Sequence, residues 1–475
     1  MATRIHKLAL LSVAITALST HISLAAPSIY PTGVTRYDPA KAYNSYILFS
    51  GSDKKTHLID LNGNEVHQWP NQGFPSFYID PQLANGAQGH VLLQLSEGGL
   101  GSSNNSEAQS IGEVDWDGKV VWQWGGAKAQ DAYGAYGAPV ASNDANGYGT
   151  SVKQHHDWRR LPNGNTVILI NYVKPVKGFK AEKLLDDGIY EINPKGEVVW
   201  KWLAYDHLNE FGFSKASLKL LHETLGRSKD KTRPFDYLHF NNMSVVGPNK
   251  WFDAGDQRFN PDNLLIDSRE ANFIAIIDKK TGKIVWSLGP DYEPVNIDGK
   301  VPRHVDQISG QHDAHIIPKG LPGEGNLLVF DNQGEAGYPF VVLGVGGQLG
   351  SRVLEIDPTK NEIVWQYTGS SSGRPNYTFY SSYISSARRL PNGNTLIDEG
   401  MNGRFLQVTN KGEIVWEYIS PYFSQPRVDD PQQVISNTVY RAQPVPYEWA
   451  PAGTPHSETS VKAPDYSQFH VAAEK

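Results

Sequence analysis

The sequence predicts an all-β chain: a six-bladed β-propeller of four-stranded antiparallel blades, its ring closed by a C-terminal strand. Three observations carry this. One hairpin motif occurs six times, a second strand–turn–strand unit precedes most copies, and the 475 residues include 45 Gly, 30 Pro and 12 Trp but no Cys. Repetition at this scale is the signature of radial or solenoid architecture, and turn-forming residues at this density argue against a helical bundle.

The hairpin copies are Gly63–Trp69 (GNEVHQW), Gly118–Trp124 (GKVVWQW), Gly196–Trp202 (GEVVWKW), Gly282–Leu288 (GKIVWSL), Asn361–Tyr367 (NEIVWQY) and Gly412–Tyr418 (GEIVWEY). Each follows a short strand and an Asp- or Asn-rich turn, the pattern of a β-hairpin. Eight tryptophans, at 69, 122, 124, 200, 202, 286, 365 and 416, fall in these copies. A bulky residue recurring at one repeat position is packing chemistry between neighbouring sheets, not a functional constellation.

The second unit is clearest in His156–Leu169 (HDWRRLPNGNTVIL) and Ser385–Ile397 (SSARRLPNGNTLI), with a looser version opening at His312 (HDAHIIP). Two hairpins make one blade, and six blades over the mature chain leave room for insertions. Two insertions stand out: a Gly/Ala/Tyr loop at 127–150 and an amphipathic helix at 206–228. Residues 44–69 supply about three strands for the first blade. The segment 437–445 (NTVYRAQPV) is therefore expected to pair with that blade and close the ring, leaving no open edge.

The N-terminus has signal-peptide features. Arg4 and Lys7 precede an apolar run from Leu8 to Leu18, and Ser23–Ala25 offers small residues before a cut. The expected divisions are a signal peptide (1–25), the propeller (26–450) and a tail (451–475). The mature protein is expected to be periplasmic, without a membrane anchor. Formal net charge is −7, and the chain lacks long basic runs, which disfavours nucleic acid as a partner. The absence of Cys excludes disulfides, thiolate nucleophiles and zinc–thiolate sites.

Inner strands of propeller blades line a central channel. His156 and His312 hold the same register, five residues before Leu161 and Ile317, and the fourth blade opens with Asp236, His239, Asn241 and Asn242. These three histidines from three blades are expected to meet near the axis, in a site or as filling of a hydrated tunnel. His155 and His315 are weaker candidates because neighbours in a strand face opposite ways. His57, His67 and His90 are expected at the surface.

In order along the chain, Asp236–Asn241 (DYLHFN), Ser268-Arg269, Gln311–Asp313 (QHD), Phe330–Asn332 (FDN) and Ser351–Asp357 (SRVLEID) follow one another. With the six Val-Trp hairpins, this set resembles the bacterial arylsulfate sulfotransferase family over about Asn44 to Tyr447. The resemblance implies a periplasmic six-bladed enzyme that passes sulfate from an aryl ester to a phenol through a sulfated histidine. No nucleotide sulfate donor or other cofactor is implied. His239 and His312 match two of the family's active-site histidines. Arg404 stands where its nucleophilic histidine is expected, and the arginine expected after the FDN motif is missing, as are the extra N-terminal domain and cysteine pair.

Three functional readings follow. In the first, sulfate transfer persists, with His156, His239, His312, Arg404 and Arg269 as catalytic groups and Asn241, Asp313 and Asn332 contacting an aryl sulfate or phenol. A histidine such as His156 or His312 would be the nucleophile, its tautomer set by Asp157 or Asp313, or the acceptor would attack directly. In the second, His156, His239 and His312 hold a divalent metal for a lyase or hydrolase acting on an anionic substrate. In the third, the propeller binds without catalysing. The four residues His156, His239, His312 and Arg404 are expected around one mouth of the channel. Oligomeric state is not legible in the sequence.

Overall fold

Each Asp/Asn-Gly turn folds its strand pair into an antiparallel hairpin, and the hairpins join in twos. The computed structural model describes residues 31–95, 107–125 except 109, 152–226, 230–290 except 232, 307–338, 350–425 and 435–463. The expected signal segment and the 127–150 loop lie outside these residues.

Five blades carry four-stranded paths in chain order, and the first borrows its inner strand from the other end of the chain. Blade one is Ala442–Val445, Tyr46–Ser50, Thr56–Ile59 and Glu65–Trp69. Blade two comprises Phe77–Tyr78, Val91–Gln94, Ser110–Val114 and Val120–Gly125. Blade three is built from Lys153–Arg160, Thr166–Pro175, Lys183–Ile192 and Val198–Leu203. Blade four contains Phe240–Val245, Leu264–Ser268, Phe273–Ile277 and Ile284–Leu288. Blade five contains His312–Ile316, Leu327–Asp331, Arg352–Asp357 and Glu362–Tyr367. Blade six is Ser386–Arg389, Thr395–Glu399, Arg404–Val408 and Ile414–Ile419. The expected six-bladed propeller is what the chain forms.

The expected closure is present: Ala442–Val445 pairs antiparallel with Tyr46–Phe49. A second latch went unforeseen. Gly33–Tyr37 adds a fifth strand outside Ile414–Ile419 of blade six, and Tyr37 in turn bridges Val461. Glu107–Ala108 joins the inner edge of blade three, and Phe235–Asp236 pairs in parallel with Leu184–Leu185 of the same blade. The region expected as one helix at 206–228 resolves into a 3-10 turn, Ala204–Glu210, and a helix, Lys215–Glu223, whose N-cap Ser214 accepts from the Ser217 amide. Phe211 and Leu221 anchor this segment in an apolar cluster shared by blades three and four.

The repeat tryptophans staple blades together. Trp69, Trp202, Trp286, Trp365 and Trp416 each donate an indole N–H to a backbone carbonyl in the next blade's hairpin turn, at Asp115, Gly282, Pro358, Asn410 and Leu61. An indole needs such a partner once buried, and burying its ring contributes about 1.5–3 kcal/mol. The staple runs from blade six back to blade one through Trp416, so it helps close the ring. At the fifth copy Asn361 takes the left-handed conformation, φ 54°, that glycine adopts in the other five. Asparagine tolerates that region better than other side chains, which is why the motif survives the change.

Candidate functional site

Regular strands would point consecutive side chains to opposite faces. The inner strands of blades three, four and five each lose register near the axis, between Gln154 and Trp158, Phe240 and Asn242, and His312 and His315. His156 and Asp313, inside two of these irregularities, and His239, just before the third, have φ of 57°, 59° and 50°. Bulges of this kind re-aim side chains, and left-handed non-glycine residues gather at functional sites. As a result the His155 and His156 rings both reach one place, their centroids 4.3 Å apart.

His156 Nε2 lies 3.2 Å from His239 Nε2, and one ring nitrogen from each of His155, His156 and His239 falls within 4.8 Å of the others. Two of the three are oriented from behind by carboxylates. His155 Nδ1 sits 2.8 Å from Asp187 Oδ1, and His239 Nδ1 sits 2.6 Å from Asp236 Oδ2. An ionised carboxylate only accepts, so each Nδ1 carries the proton and each Nε2 faces inward. Asp187 comes from the third strand of blade three and also accepts from the Phe240 amide, tying the blades at the site. Tyr440 lies flat against His156 at 4.9 Å and donates to the Asn241 carbonyl at 2.6 Å.

The environment splits these imidazoles. Burial pushes His156 well below the usual imidazole range, and His155, His239, His312 and Arg441 push it further. Burial alone would also lower His239, but the Asp236 carboxylate outweighs it and the net shift is upward. His156 is therefore the neutral member of the pair and His239 the one that favours the cation. Only one proton fits between their Nε2 atoms. His239 also keeps 21% of its side chain exposed, whereas His155 and His156 are 1% and 3% exposed as residues.

The other expected residues have different surroundings. His312 is near, its ring 6.1 Å from Tyr440, but both nitrogens are engaged. Its Nδ1 faces the Gly310 carbonyl and Asn332 Oδ1, and its Nε2 accepts from the Ile384 amide at 3.0 Å. The third histidine of the converging trio is thus His155, not His312. Asn332 also donates to the Ser381 and Ile384 carbonyls, so it positions His312. Asn241 donates to the Gln311 carbonyl, and its Oδ1 is buried without a partner. Arg269 pairs with Glu270, donates its backbone amide to the His239 carbonyl, and exerts its charge on His239, Asp236 and His312.

Arg404 is on the third strand of blade six, two strands out from the inner one. It is paired with Glu399 at 2.8 Å and Glu417 at 2.6 Å. Its register opposite Glu399 repeats that of Arg352 opposite Asp331 in blade five, so it belongs to a structural ion pair of the repeat. Asp157 and Asp313 do not orient histidines either. Both bind Arg441, and their second oxygens accept from the Met243 and Ala387 amides of the following blades. His57, expected at the surface, is buried between Asp53 and Glu65 and stacked on Tyr422.

Sequence reasoning ranked His155 as only a weaker candidate and missed Asp187, Tyr440 and Arg441. Asp236 was within sight, three residues before His239. Chemically, the site offers a neutral base beside a cation-favouring imidazole near Arg269. It also offers three inward imidazoles, two of them braced by carboxylates, which is a donor set that suits a divalent transition metal.

Among solved structures, a Bacteroides caccae protein of unknown function is 13% identical, with 85% of this chain and 99% of that one covered at a TM-score of 0.44. The β-propeller domain of Myceliophteria thermophila Cps50 (Swd1) is 10% identical, with coverages of 84% and 89% and a TM-score of 0.36. Apo AztD from Citrobacter koseri is 9% identical, with coverages of 84% and 97% and a TM-score of 0.36. These likenesses say nothing of activity, and no curated protein matches the chain. The profile of the arylsulfotransferase (ASST) family matches residues 110–421, from the second blade through the last and across all three site histidines. On that match, which spans roughly two thirds of the sequence, the chain belongs to the arylsulfotransferase family.

Proposed function

We propose that the protein transfers a sulfuryl group from an aryl sulfate ester to a phenolic acceptor, with His239 as the residue that carries it. One observation supports this most: the chain Asp236–His239–His156, in which a carboxylate orients an accessible imidazole whose Nε2 faces a neutral base. In the first step the shared proton passes to His156 Nε2, and His239 Nε2 attacks sulfur. An N–S bond forms, the S–O(aryl) bond breaks, and the departing phenoxide takes the proton from His156. In the second step His156 removes the proton of an acceptor phenol, whose oxygen attacks sulfur as the N–S bond breaks. Arg269 stabilises the negative charge spread over the transferring group. No cofactor enters this sequence. The N-terminal pattern of basic, apolar and small residues supports a periplasmic setting for it.

The test is incubation of the metal-free protein with 4-nitrophenyl sulfate and no acceptor. The expected product is an acid-labile sulfuryl group on His239, mapped by peptide mass spectrometry and discharged by added phenol. Absence of both adduct and turnover overturns the proposal.

The convergence of His155, His156 and His239 favours a second reading, in which their Nε2 atoms hold a divalent metal. Asp187 and Asp236 would then be outer partners that fix the ligand tautomers. A metal there would polarise an anionic ester for hydrolysis or elimination. Stoichiometric metal in the purified protein, with activity removed by a chelator and restored by zinc, would select this reading over histidine sulfation.

A further inference from the structure

The same inner strands that begin at the histidines end at a cavity of about 430 Å³. Arg159 lies three residues beyond His156 and His315 three beyond His312, so the cavity belongs to the opposite end of the channel. Its lining combines apolar Phe77, Leu83, Leu92 and Leu321 with the guanidinium groups of Arg159 and Arg388.

Three arginines crowd this end of the channel. Arg159 pairs with Asp157, Arg388 with Asp313, and the wholly buried Arg441 reaches both carboxylates. Three guanidinium groups therefore share two carboxylates. Two further carboxylates, Asp267 and Asp398, are buried within reach of Arg441's charge; burial raises both, and Arg441 opposes the shift. Arg160 and Arg389 are each matched by a glutamate, Glu113 and Glu355. The one carboxylate among the cavity's lining residues, Asp80, is exposed and accepts from the Gln82 amide. Arg159 and Arg388 each keep 19% of their side chains exposed, whereas Asp157 and Asp313 keep none. Burial pushes Arg159 down to about 10, and repulsion from Arg441 and Arg388 contributes, while Asp157 opposes the shift.

We propose that this cavity is a second ligand site, separate from the histidine centre, for a small organic anion with an aromatic or aliphatic body. Its carboxylate, sulfonate or sulfate group would lie between Arg159 and Arg388. The body would pack on Leu83, Leu92 and Leu321, beside Arg159, whose guanidinium lies over the Phe77 ring at 3.7 Å. Guanidinium forks match such oxyanions in geometry as well as charge, and the apolar lining excludes competing water.

The proposal is tested by calorimetric titration of naphthalene-2-sulfonate into the full chain carrying His239→Ala, which removes the cation-favouring imidazole from the other end. Saturable one-site binding that weakens with salt is expected. Arg388→Gln is expected to weaken it at least about tenfold, as is replacement of the probe by uncharged 2-naphthol. Because Arg388→Gln also disturbs Asp313, a second variant, Leu83→Trp, fills the cavity and leaves every charge in place. It too is expected to weaken binding. The proposal is overturned if saturable binding is absent, if Leu83→Trp binds as well as its parent, or if 2-naphthol matches the sulfonate.

Discussion

Asp157 Oδ1 and Arg441 Nη1 meet at 2.8 Å across 284 positions of the chain, and both side chains are wholly buried. This contact joins the inner strand of blade three to the approach of the strand that closes blade one. Arg441→Leu removes the wholly buried guanidinium that bridges Asp157 and Asp313, leaving each carboxylate with only a partly exposed arginine, Arg159 or Arg388. We expect a loss of about 3–5 kcal/mol in urea unfolding, the usual cost of breaking a buried pair from one side. A loss under about 1 kcal/mol, the range of exposed pairs, would show that the contact is not a structural tie.

Truncation after Ser436 removes both Arg441 and Ala442–Val445, exposing the inner edge of Tyr46–Ser50. The whole ring is expected to lose cooperativity in calorimetry, and the exposed edge to promote aggregation. A fragment that still melts in one transition near the parent temperature would contradict this.

Stability is expected to fall on acidification. Burial holds His312 and His315 well below the usual 6.5, with Arg269 and His239 adding to the effect on His312, and Arg388, Arg441 and Arg159 on His315. Below about pH 6.5 the unfolded chain binds protons that the folded chain refuses, so the unfolding free energy decreases as pH drops. His239, shifted upward, works in the opposite sense: its contribution is present below the usual 6.5 and is lost as pH rises through its folded value. The urea midpoint should be lower at pH 5 than at pH 7.5, and His315→Gln should flatten the difference. A midpoint that rises towards pH 5 would reverse the assignment.

Arg404→His puts an imidazole where the family resemblance expects one, yet it strips Glu399 and Glu417 of a shared, buried guanidinium. We expect destabilisation of about 3–5 kcal/mol and no gain in aryl sulfate turnover. Thermal unfolding and a 4-nitrophenyl sulfate assay would show both; a more active variant of parental stability would restore Arg404 to the reacting centre.

Much of the ring was legible because hairpins are local. Each turn, strand and tryptophan sits within one short stretch of sequence, and 437–445 was the remaining segment with strand character. Gly33–Tyr37 was not legible, since five residues with partners almost 400 positions away carry no periodic signal. The site was half legible. His156 and His239 were found by register, but His155 was set aside by the rule of alternation, which the left-handed backbone at His156 suspends. Asp157 and Asp313 stand next to histidines in sequence, and adjacency predicts that they orient them. The carboxylates that do this for His155 and His239 are Asp187, from another strand, and Asp236, from a neighbouring segment, and adjacency in sequence does not reveal the first of them.

The ring is latched twice, by Ala442–Val445 inside blade one and by Gly33–Tyr37 outside blade six. On a growing polypeptide, blade one has an unpaired inner edge until residues 442–445 have emerged, long after its other three strands have been made. Gly33–Tyr37, synthesised before any blade, must wait for Ile414–Ile419. Both waiting segments face long loop closures, the kind of pairing that slows folding. A ribosome-bound chain ending before residue 442 should therefore remain sensitive to protease throughout, and protection should arrive late and all at once.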